Sequence, residues 1–484
     1  MWRPRLFSSS VIALAGLLSL STGLYGQEKA TIVGTVTDPT GAVMPGVKVT
    51  ITNTATKVAR TLETNSAGNY SAPELPIGDY SVRAEYQGFK TYERTGIEPN
   101  VNDVVRVDIP MQVGEVTQSV TVSETAVRVQ TESNEISTVI SGKQVTELAI
   151  NGRNFFQLAA LVPGASSLMP DFNLPLPVMS SGAISFNGLR PDHNMWMIDG
   201  GEDYDRGCGG CVTVMPSMDA IAEFKVQSSN YGPNFGMGSS ATVNMALKSG
   251  TQSFHGEAYE FLRNDALDAT NFFANKSGTA KPPLKLNVFG WNLGGPFYIP
   301  HHYNTDKRKT FFFFNEEWRR IRQGTEIFAP AIPNAERTGD FSSMLTGAKD
   351  ANGNDTGAIF VPPPPPGQTL PAGLVAGQPF PGNMIPTSML DSNALVLGAP
   401  NFIFPLPSAP GGKYSAAPSV PINVREETIR VDHNINEKLQ VMAHFINDAV
   451  LDQTPTTLWS SSTYPTIGTI FNNPASGPQR QVRA

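Results

Sequence analysis

One pattern limits the fold more than any other: short stretches in which apolar and polar residues take turns, cut apart by Gly, Pro, Asn and Asp. In "VKVTITN", Val47, Val49 and Ile51 fall on one side and Lys48, Thr50 and Thr52 on the other. "DYSVRAEY" sets Tyr80, Val82, Ala84 and Tyr86 against Ser81, Arg83 and Glu85, and "VRVDI" sets Val105, Val107 and Ile109 against Arg106 and Asp108. A period of two belongs to strands, and a polar alternate face means a sheet covered on one side. Turn signals at Asp38-Pro39-Thr40-Gly41, Asn65-Ser66-Ala67-Gly68-Asn69 and Pro76-Ile77-Gly78-Asp79 space these strands closely, so residues 27–112 read as a compact β-sandwich. The 44 Gly and 39 Pro among 484 residues, with 16% charged, also favour strands and turns over long charged helices.

The N-terminus adds a compartment. Arg3 and Arg5 precede the apolar run "VIALAGLLSL" and then small residues, so 1–26 reads as a signal peptide, with cleavage after Gly23 or after Gly26 both fitting. A run of about ten apolar residues is too short for a hydrocarbon core that needs about twenty, and no later run is long enough. The chain is expected to be exported, and to enter a membrane only as strands. The net charge of −7, without a basic run, argues against nucleic acid. The six histidines, His193, His255, His301, His302, His433 and His444, form no HExxH pattern, and no Cys/His group has zinc spacing, so no metal or cofactor is expected. Cys208 and Cys211 in "RGCGGCVTV" are disulfide candidates that would pin a glycine loop. The alternative, a redox CxxC site, lacks the usual strand-helix context.

Residues 113–121 read as a linker, after which helix and strand mix. Ser141 suits the cap of a short helix carrying Val145 and Leu148, and Asn154 the cap of "FFQLAAL", which Pro163-Gly164 stops. "AISFNGL", "NMWMI" and "IAEFKV" read as strands, and "SSATVNMALKSG" alternates Ala241, Val243, Met245 and Leu247 against Thr242, Asn244, Ala246 and Lys248. The polar stretch "RPDHNMWMIDG" raises the possibility of a catalytic site. Neighbours on alternating faces of one strand supply no nucleophile beside a base and no acid/base pair, so no catalytic residue is expected. Asp199 is expected to cap its turn, and Arg190 to pair with a carboxylate.

Beyond Thr251, "SFHGEAYEFLR", "NVFGWNLGGPFYI", "KTFFFFNEEWRRIR", "EETIRVDH" and "KLQVMAHFIND" read as longer strands. Leu439, Val441, Ala443 and Phe445 oppose Gln440, Met442 and His444, while Thr428, Arg430 and Asp432 oppose Ile429 and Val431. Phe311 to Phe314 and Trp318 suit an aromatic girdle. Alternation alone fits a soluble sandwich better than a membrane barrel, because barrel signals are weak per strand.

Three groups of motifs carry family resemblances. "GTVTDPTGAVMPGVKVTITN" and "TNSAGNYSAPELPIGDYSVRAEYQGF" resemble carboxypeptidase-regulatory-like domains, which implies a transthyretin-like or immunoglobulin-like sandwich. That family is in places linked to carbohydrate binding; no aromatic platform for sugar stands out here, and a spacer role is expected. "LAINGRNFFQLAALVPG", "NGLRPDHNMWMIDGG", "IAEFKVQSSNYGPNFG" and "VNMALKSGT" occur in the order of the plug domain of TonB-dependent outer-membrane receptors, and the resemblance covers 122–250. It marks Arg153, Arg190, Asp199, Gly200, Glu223, Lys248 and Gly250 as structural plug-motif residues. Pro191 after Arg190, and the order Glu-Phe-Lys-Val from Glu223, are departures that fit the Oar-like branch. "HGEAYEFLRNDALDATNFF", "FGWNLGGPFYIP", "ERTGDFS" and "PGNMIP" look like the start of an Oar-like barrel over 251–484, with a Pro- and Gly-rich extracellular loop over 328–420.

The resemblance implies a mainly β chain: front sandwich, α+β plug, then the first antiparallel strands of an outer-membrane barrel. Receptors of this kind resemble barrels of about 22 strands. About five strands cannot enclose a plug, so an N-terminal fragment or a truncated gene product is expected. The implied function is gated uptake of an unidentified ligand, carbohydrate among the candidates, across the outer membrane. The implied partners are a periplasmic TonB energy-coupling protein and outer-membrane lipid. Within "QSVTVS", Ser119, Val120, Thr121 and Val122 are the candidate TonB contact. A surface or adhesion protein of the same architecture, without transport, is the competing reading; a secreted enzyme has no residue constellation behind it.

Overall fold

The computed structural model describes residues 29–116, 119–123, 131–167, 184–205, 212–232, 235, 238–270, 272–277, 281, 283–324, 327–399, 406–409, 411–416, 419–437, 439–452 and 479–483. The signal-peptide stretch and both cysteines, Cys208 and Cys211, lie outside them.

The front unit contains β1 (Ala30–Thr37), β2 (Lys48–Asn53), β3 (Ala59–Glu63), β4 (Asn69–Leu75), β5 (Tyr80–Glu85), β6 (Thr91–Ile97), β7 (Val104–Arg106), β8 (Ile109–Pro110) and β9 (Ser119–Ser123). One sheet runs β4-β1-β7, with β8 also on β1, and the other runs β3-β2-β5-β6-β9. Val49, Ile51, Tyr80, Val82 and Ala84 are buried in one cluster with Ile32, Val36, Tyr70, Val107 and Ile109, as the alternation requires. Tyr86 departs from it: the residue lies just past β5 and is exposed. The expected linker is also only partly one. Ser119–Ser123 pairs in parallel with Thr91–Thr95 and so extends the second sheet. Val120 and Val122 are β-branched, and β6 offered a free edge to them.

The middle domain follows as β10 (Ile136–Ser141), β11 (Ala165–Ser167), β12 (Ile184–Phe186), β13 (Met195–Ile198), β14 (Gly201–Glu202), β15 (Ile221–Ser229) and β16 (Thr242–Leu247). The sheet order is β10-β15-β16-β13-β14, and β11 pairs with β12 beside it. Ser141 and Gln144 form a reciprocal capping box on the helix Gly142–Glu147, whose Val145 is buried. Leu148, which the sequence also places on this helix, is its exposed C-cap residue. Asn154 Oδ1 accepts the Phe156 N–H at 3.0 Å and starts the helix Phe156–Ala159. One face of the sheet packs Trp196, Phe224, Val226, Val243 and Met245 against Phe155, Phe156 and Leu158. Trp196 meets Phe156 edge-on at 4.5 Å between centroids.

β16 is buried along its whole length, not on alternate residues as the sequence suggests. Its second face is a buried polar layer. Asn244 Nδ2 donates to Gln227 Oε1 at 2.8 Å, and Gln227 Nε2 donates to Glu135 Oε2 at 2.6 Å. Lys225, fully buried, pairs with Glu135 and, at 2.9 Å, with Asp103 of the front unit. The sandwich thus covers the face that the sequence leaves polar, which is why the polarity survives burial.

The last unit contains β17 (His255–Asn264), β18 (Leu284–Pro296), β19 (Thr310–Gly324), β20 (Ile327–Pro330), β21 (Lys413–Ala416), β22 (Ser419–Asn434), β23 (Gln440–Asp452) and β24 (Gln479–Arg483). A wall of six strands runs β17-β18-β19-β22-β23-β24, antiparallel throughout, and does not close on itself among the described residues. The short pair β20-β21 sits at the base of the long connection between β19 and β22. Phe311 and Phe313 are buried, and Phe313 joins the middle domain's core. The expected girdle is therefore corrected: alternation turns Phe311 and Phe313 inward and leaves Phe312, Phe314 and Trp318 on the outer face. Among the described residues no helix is long and apolar enough to cross a membrane.

Replacing Lys225 with Met leaves Asp103 and Glu135 buried without their cation, and is expected to cost about 3–5 kcal/mol. Denaturant unfolding should show the loss, and limited proteolysis should show earlier cutting between sandwich and middle domain.

Candidate functional site

The joint between the middle domain and the wall gathers most of the residues marked by the sequence. β13 ends in a tight turn that requires positive φ at Asp199 (46°) and Gly200 (82°). This turn points the Asp199 side chain at the wall. Asp199 Oδ1 accepts the Leu247 N–H at 3.1 Å and Arg430 Nη1 at 2.9 Å, and Oδ2 lies 3.1 Å from His444 Nδ1. Arg430 and His444 face each other across β22 and β23. The Arg430 guanidinium also donates to the Leu247 C=O at 2.8 Å and to Asp432, whose Oδ2 accepts Ser249 Oγ at 2.6 Å. The role expected for Asp199 is a cap on its own turn; its carboxylate instead ties that turn to Leu247 of β16 and to the wall.

Gly250 closes the joint. A Cβ there would lie 2.4 Å from the Gly295 carbonyl oxygen and 2.5 Å from that of Phe312, so the chain passes the wall backbone only as glycine. Arg153, with φ 52°, is buried, pairs with Asp219, and lies over the Phe261 ring of β17 at 3.9 Å. Burial raises the Asp219 carboxyl, against the opposing pull of Arg153. Burial also lowers the Lys248 ammonium, against Asp219 and Glu257. On the wall's inner face Arg319 Nε donates to Glu317 Oε1 at 2.8 Å, its Nη2 reaches Glu426, and Tyr259 donates to Glu317 at 2.9 Å.

Glu223 works at the other junction. Its Oε1 accepts the Val101 N–H of the sandwich at 2.5 Å, and burial pushes its carboxyl up to about 7. Asp203, in the middle domain, accepts the Thr213 and Val214 N–H groups and is pushed by burial up to about 6.

Arg190 departs from expectation. It is exposed at the start of the short turn Pro191–His193, outside the packed joint, and forms no ion pair among the described residues. His193 is exposed and lies 3.0 Å from Ser239 Oγ, whereas Asp199 is committed to Arg430 and His444. The polar stretch is thus divided between surface and wall. Among the described residues, no group of three or more His, Cys, Asp and Glu side chains is placed to hold a metal ion. Ser119 to Val122, the candidate coupling contact, form the outer strand of the sandwich's second sheet. Arg430, Asp432 and His444 are visible in the sequence only as a polar strand face; nothing there names their partners.

Residues 246–482 match the family model "Outer membrane beta barrel domain", and 31–112 match "Carboxypeptidase regulatory-like domain". The TonB-dependent transporter Oar of Myxococcus xanthus is 28% identical over 304 residues, 60% of this chain and 27% of that protein. The chain is thus similar to the Oar-like TonB-dependent receptors. It spans about a quarter of the length of the curated relative it matches. Its wall is outer-membrane barrel wall, and its middle domain is the stretch that resembles a plug. Among solved structures, a ferric enterobactin receptor of Pseudomonas aeruginosa is similar with TM-score 0.33 and 9% identity, covering 67% of this chain and 34% of that one. The Bacillus anthracis TIE protein is similar with TM-score 0.16 and 16% identity over 18% of this chain and 17% of that one. Neither likeness is close enough to bear on function.

Replacing Arg430 with Met leaves Asp199 buried without its guanidinium and should cost about 3–5 kcal/mol in denaturant unfolding. The double change with Asp199→Asn should cost less than the sum of the singles, since partners in contact do not add. Strict additivity would mean that the plug–wall pair carries no interaction. A pH series tests the other junction. Glu223 holds its proton more tightly in the folded chain than in the unfolded one, so its contribution is full below the ordinary carboxylate range and is lost as pH rises through about 7. The melting midpoint should fall from pH 5 to pH 8, and Glu223→Gln should flatten that fall.

Proposed function

We propose that the protein moves a ligand across the outer membrane, its plug yielding when a periplasmic energy-coupling protein of the TonB type engages Ser119–Ser123. One observation carries this reading: the joint between plug and wall is mostly polar. Among the described residues, Phe313 and Ile446 are what the wall adds to the plug's apolar core, while Asp199, Ser249 and Leu247 meet Arg430, Asp432 and His444 through hydrogen bonds. Such bonds exchange for water at small net cost, whereas an apolar joint of the same size would resist parting. The Myxococcus xanthus relative is a TonB-dependent transporter, which agrees in kind.

The coupling segment has a physical argument as well. Among the described residues β9 is an edge strand, with one side of its backbone paired to no other strand there and ready for a strand from a partner.

Binding of the purified periplasmic domain of the energy-coupling protein to this chain is the direct test. The native chain should bind, and Val120→Pro should weaken binding at least about tenfold, because proline removes a backbone donor. Glu63→Gln, on the opposite edge strand β3, should leave binding unchanged. A surface protein that moves nothing would show no binding at any concentration, and that result would sink the transport reading.

A further inference from the structure

The outer face of the wall carries a feature that neither the plug joint nor the coupling segment uses. Directly opposed residues of antiparallel strands share a face. Across β18 and β19, Phe289 opposes Trp318, Asn287 opposes Arg320, and Lys285 opposes Arg322. All six lie on the face away from the plug, since Phe313 and Arg319 of the same strand are the buried, inner set. The Phe289 and Trp318 rings stack at 5.4 Å, and three cations follow within two further rows.

Their height on the wall is fixed by the connections. Lys285 and Arg322 sit at the end from which the long segments 265–283 and 325–418 leave, while the plug and the shorter segments 297–309 and 435–439 mark the other end. Long connections belong to the extracellular side of an outer-membrane barrel. The cations therefore stand just beyond an aromatic pair at the outer-leaflet boundary, where aromatic rings anchor and long cationic side chains reach for headgroups. Lys285 and Arg320 are exposed and form no ion pair among the described residues. Arg322 Nη1 is steadied by the Ile321 C=O at 2.8 Å and by Asn423 Oδ1 at 3.1 Å. Below them runs a shallow groove of about 560 Å³, lined by Ala258, Phe289, Trp291 and Trp318, with Glu260 at its side.

We propose that Lys285, Arg320 and Arg322 bind the phosphate of an outer-leaflet lipid, whose acyl chain lies along the groove of Phe289, Trp291 and Trp318. Strands about 4.8 Å apart bring three like charges together, and an anion shared among them relieves their repulsion. A guanidinium offers paired N–H donors that match phosphate oxygens. The proposal rests on the reading of this face as lipid-facing barrel wall.

The test compares two lipids with the same acyl chains, phosphatidic acid and diacylglycerol, binding to the full chain in non-ionic detergent micelles. At low salt the native chain should hold phosphatidic acid about a hundredfold more tightly, roughly fivefold for each of three cations. Raising the salt should shrink that preference. The triple variant Lys285→Gln, Arg320→Gln, Arg322→Gln should lose it, while Lys349→Gln, exposed in the β19–β22 connection, should keep it. Equal binding of the two lipids by the native chain, or a preference that survives in the triple variant, overturns the proposal. Displacement of the lipid by inorganic phosphate at matched ionic strength assigns the site to a free anion and overturns the lipid. A chain that is monomeric and soluble without detergent overturns the wall reading itself, and the lipid site with it.

Discussion

A backbone that crosses hydrocarbon has no water to bond, so every peptide group inside it must find a partner in the protein. The wall meets that demand through long registers: β19 pairs residue for residue with β18 on one side and with β22 on the other. Pairing of this kind fixes the side-chain period at two, and the period then divides each strand into an outer and an inner set. The outer set can be apolar, as Phe312, Phe314, Ile429 and Phe445 are. The inner set contains Arg319, Glu317, Glu426, Thr428 and Asp448, all buried. Buried charges of this number need partners, and the middle domain supplies some of them, the Met215 N–H reaching Asp448.

The plug's two polar surfaces answer two neighbours. One meets the wall through Asp199, Ser249 and the Arg153 stack on Phe261. The other is the Lys225, Gln227 and Asn244 layer that the sandwich closes with Asp103. Between them lies the apolar core around Trp196 and Phe224, which belongs almost wholly to the plug. Cohesion is thus concentrated inside the plug and kept low at its borders. A body built this way can leave a wall as a unit without losing its own core.

The sequence made the strands legible wherever one face met water, lipid or a separate domain. Val49, Ile51, Val82 and Ala84 announced their sheet because their alternate residues stayed polar and open. β16 was misread because both of its faces are buried, and the polar one is closed by residues far away in the chain, Glu135 and Asp103 among them. Local periodicity cannot show a cover that arrives through tertiary contact. Asp199 was legible as a turn residue, since Asp-Gly-Gly needs left-handed backbone. Its wall partners were not, because Arg430 and His444 lie more than two hundred positions further on and look like any lumen-facing pair. β9 was legible in part for a related reason: its alternating Ser, Val and Thr read as a strand at the end of a linker, but nothing in them names β6 as the partner.

The position of β9 also orders the events that a pull would cause. Among the described residues the strand pairs in parallel with β6, over Thr91–Thr95, and Thr91 Oγ1 fastens the chain just ahead at the Val116 C=O. Further along the chain, among the described residues, Glu132 meets Arg106 at the surface and Glu135 holds Lys225 and Gln227. Force applied at β9 would first strip one short edge strand, a loss confined to backbone bonds that water can replace. Only then would it load the polar layer, where separating Lys225 from its carboxylates costs several times more. The apolar core would be reached last. If β9 is where a partner pulls, as proposed above, a sandwich that stores the segment in this way sets a threshold: weak tugs release β9, and only sustained force reaches the middle domain.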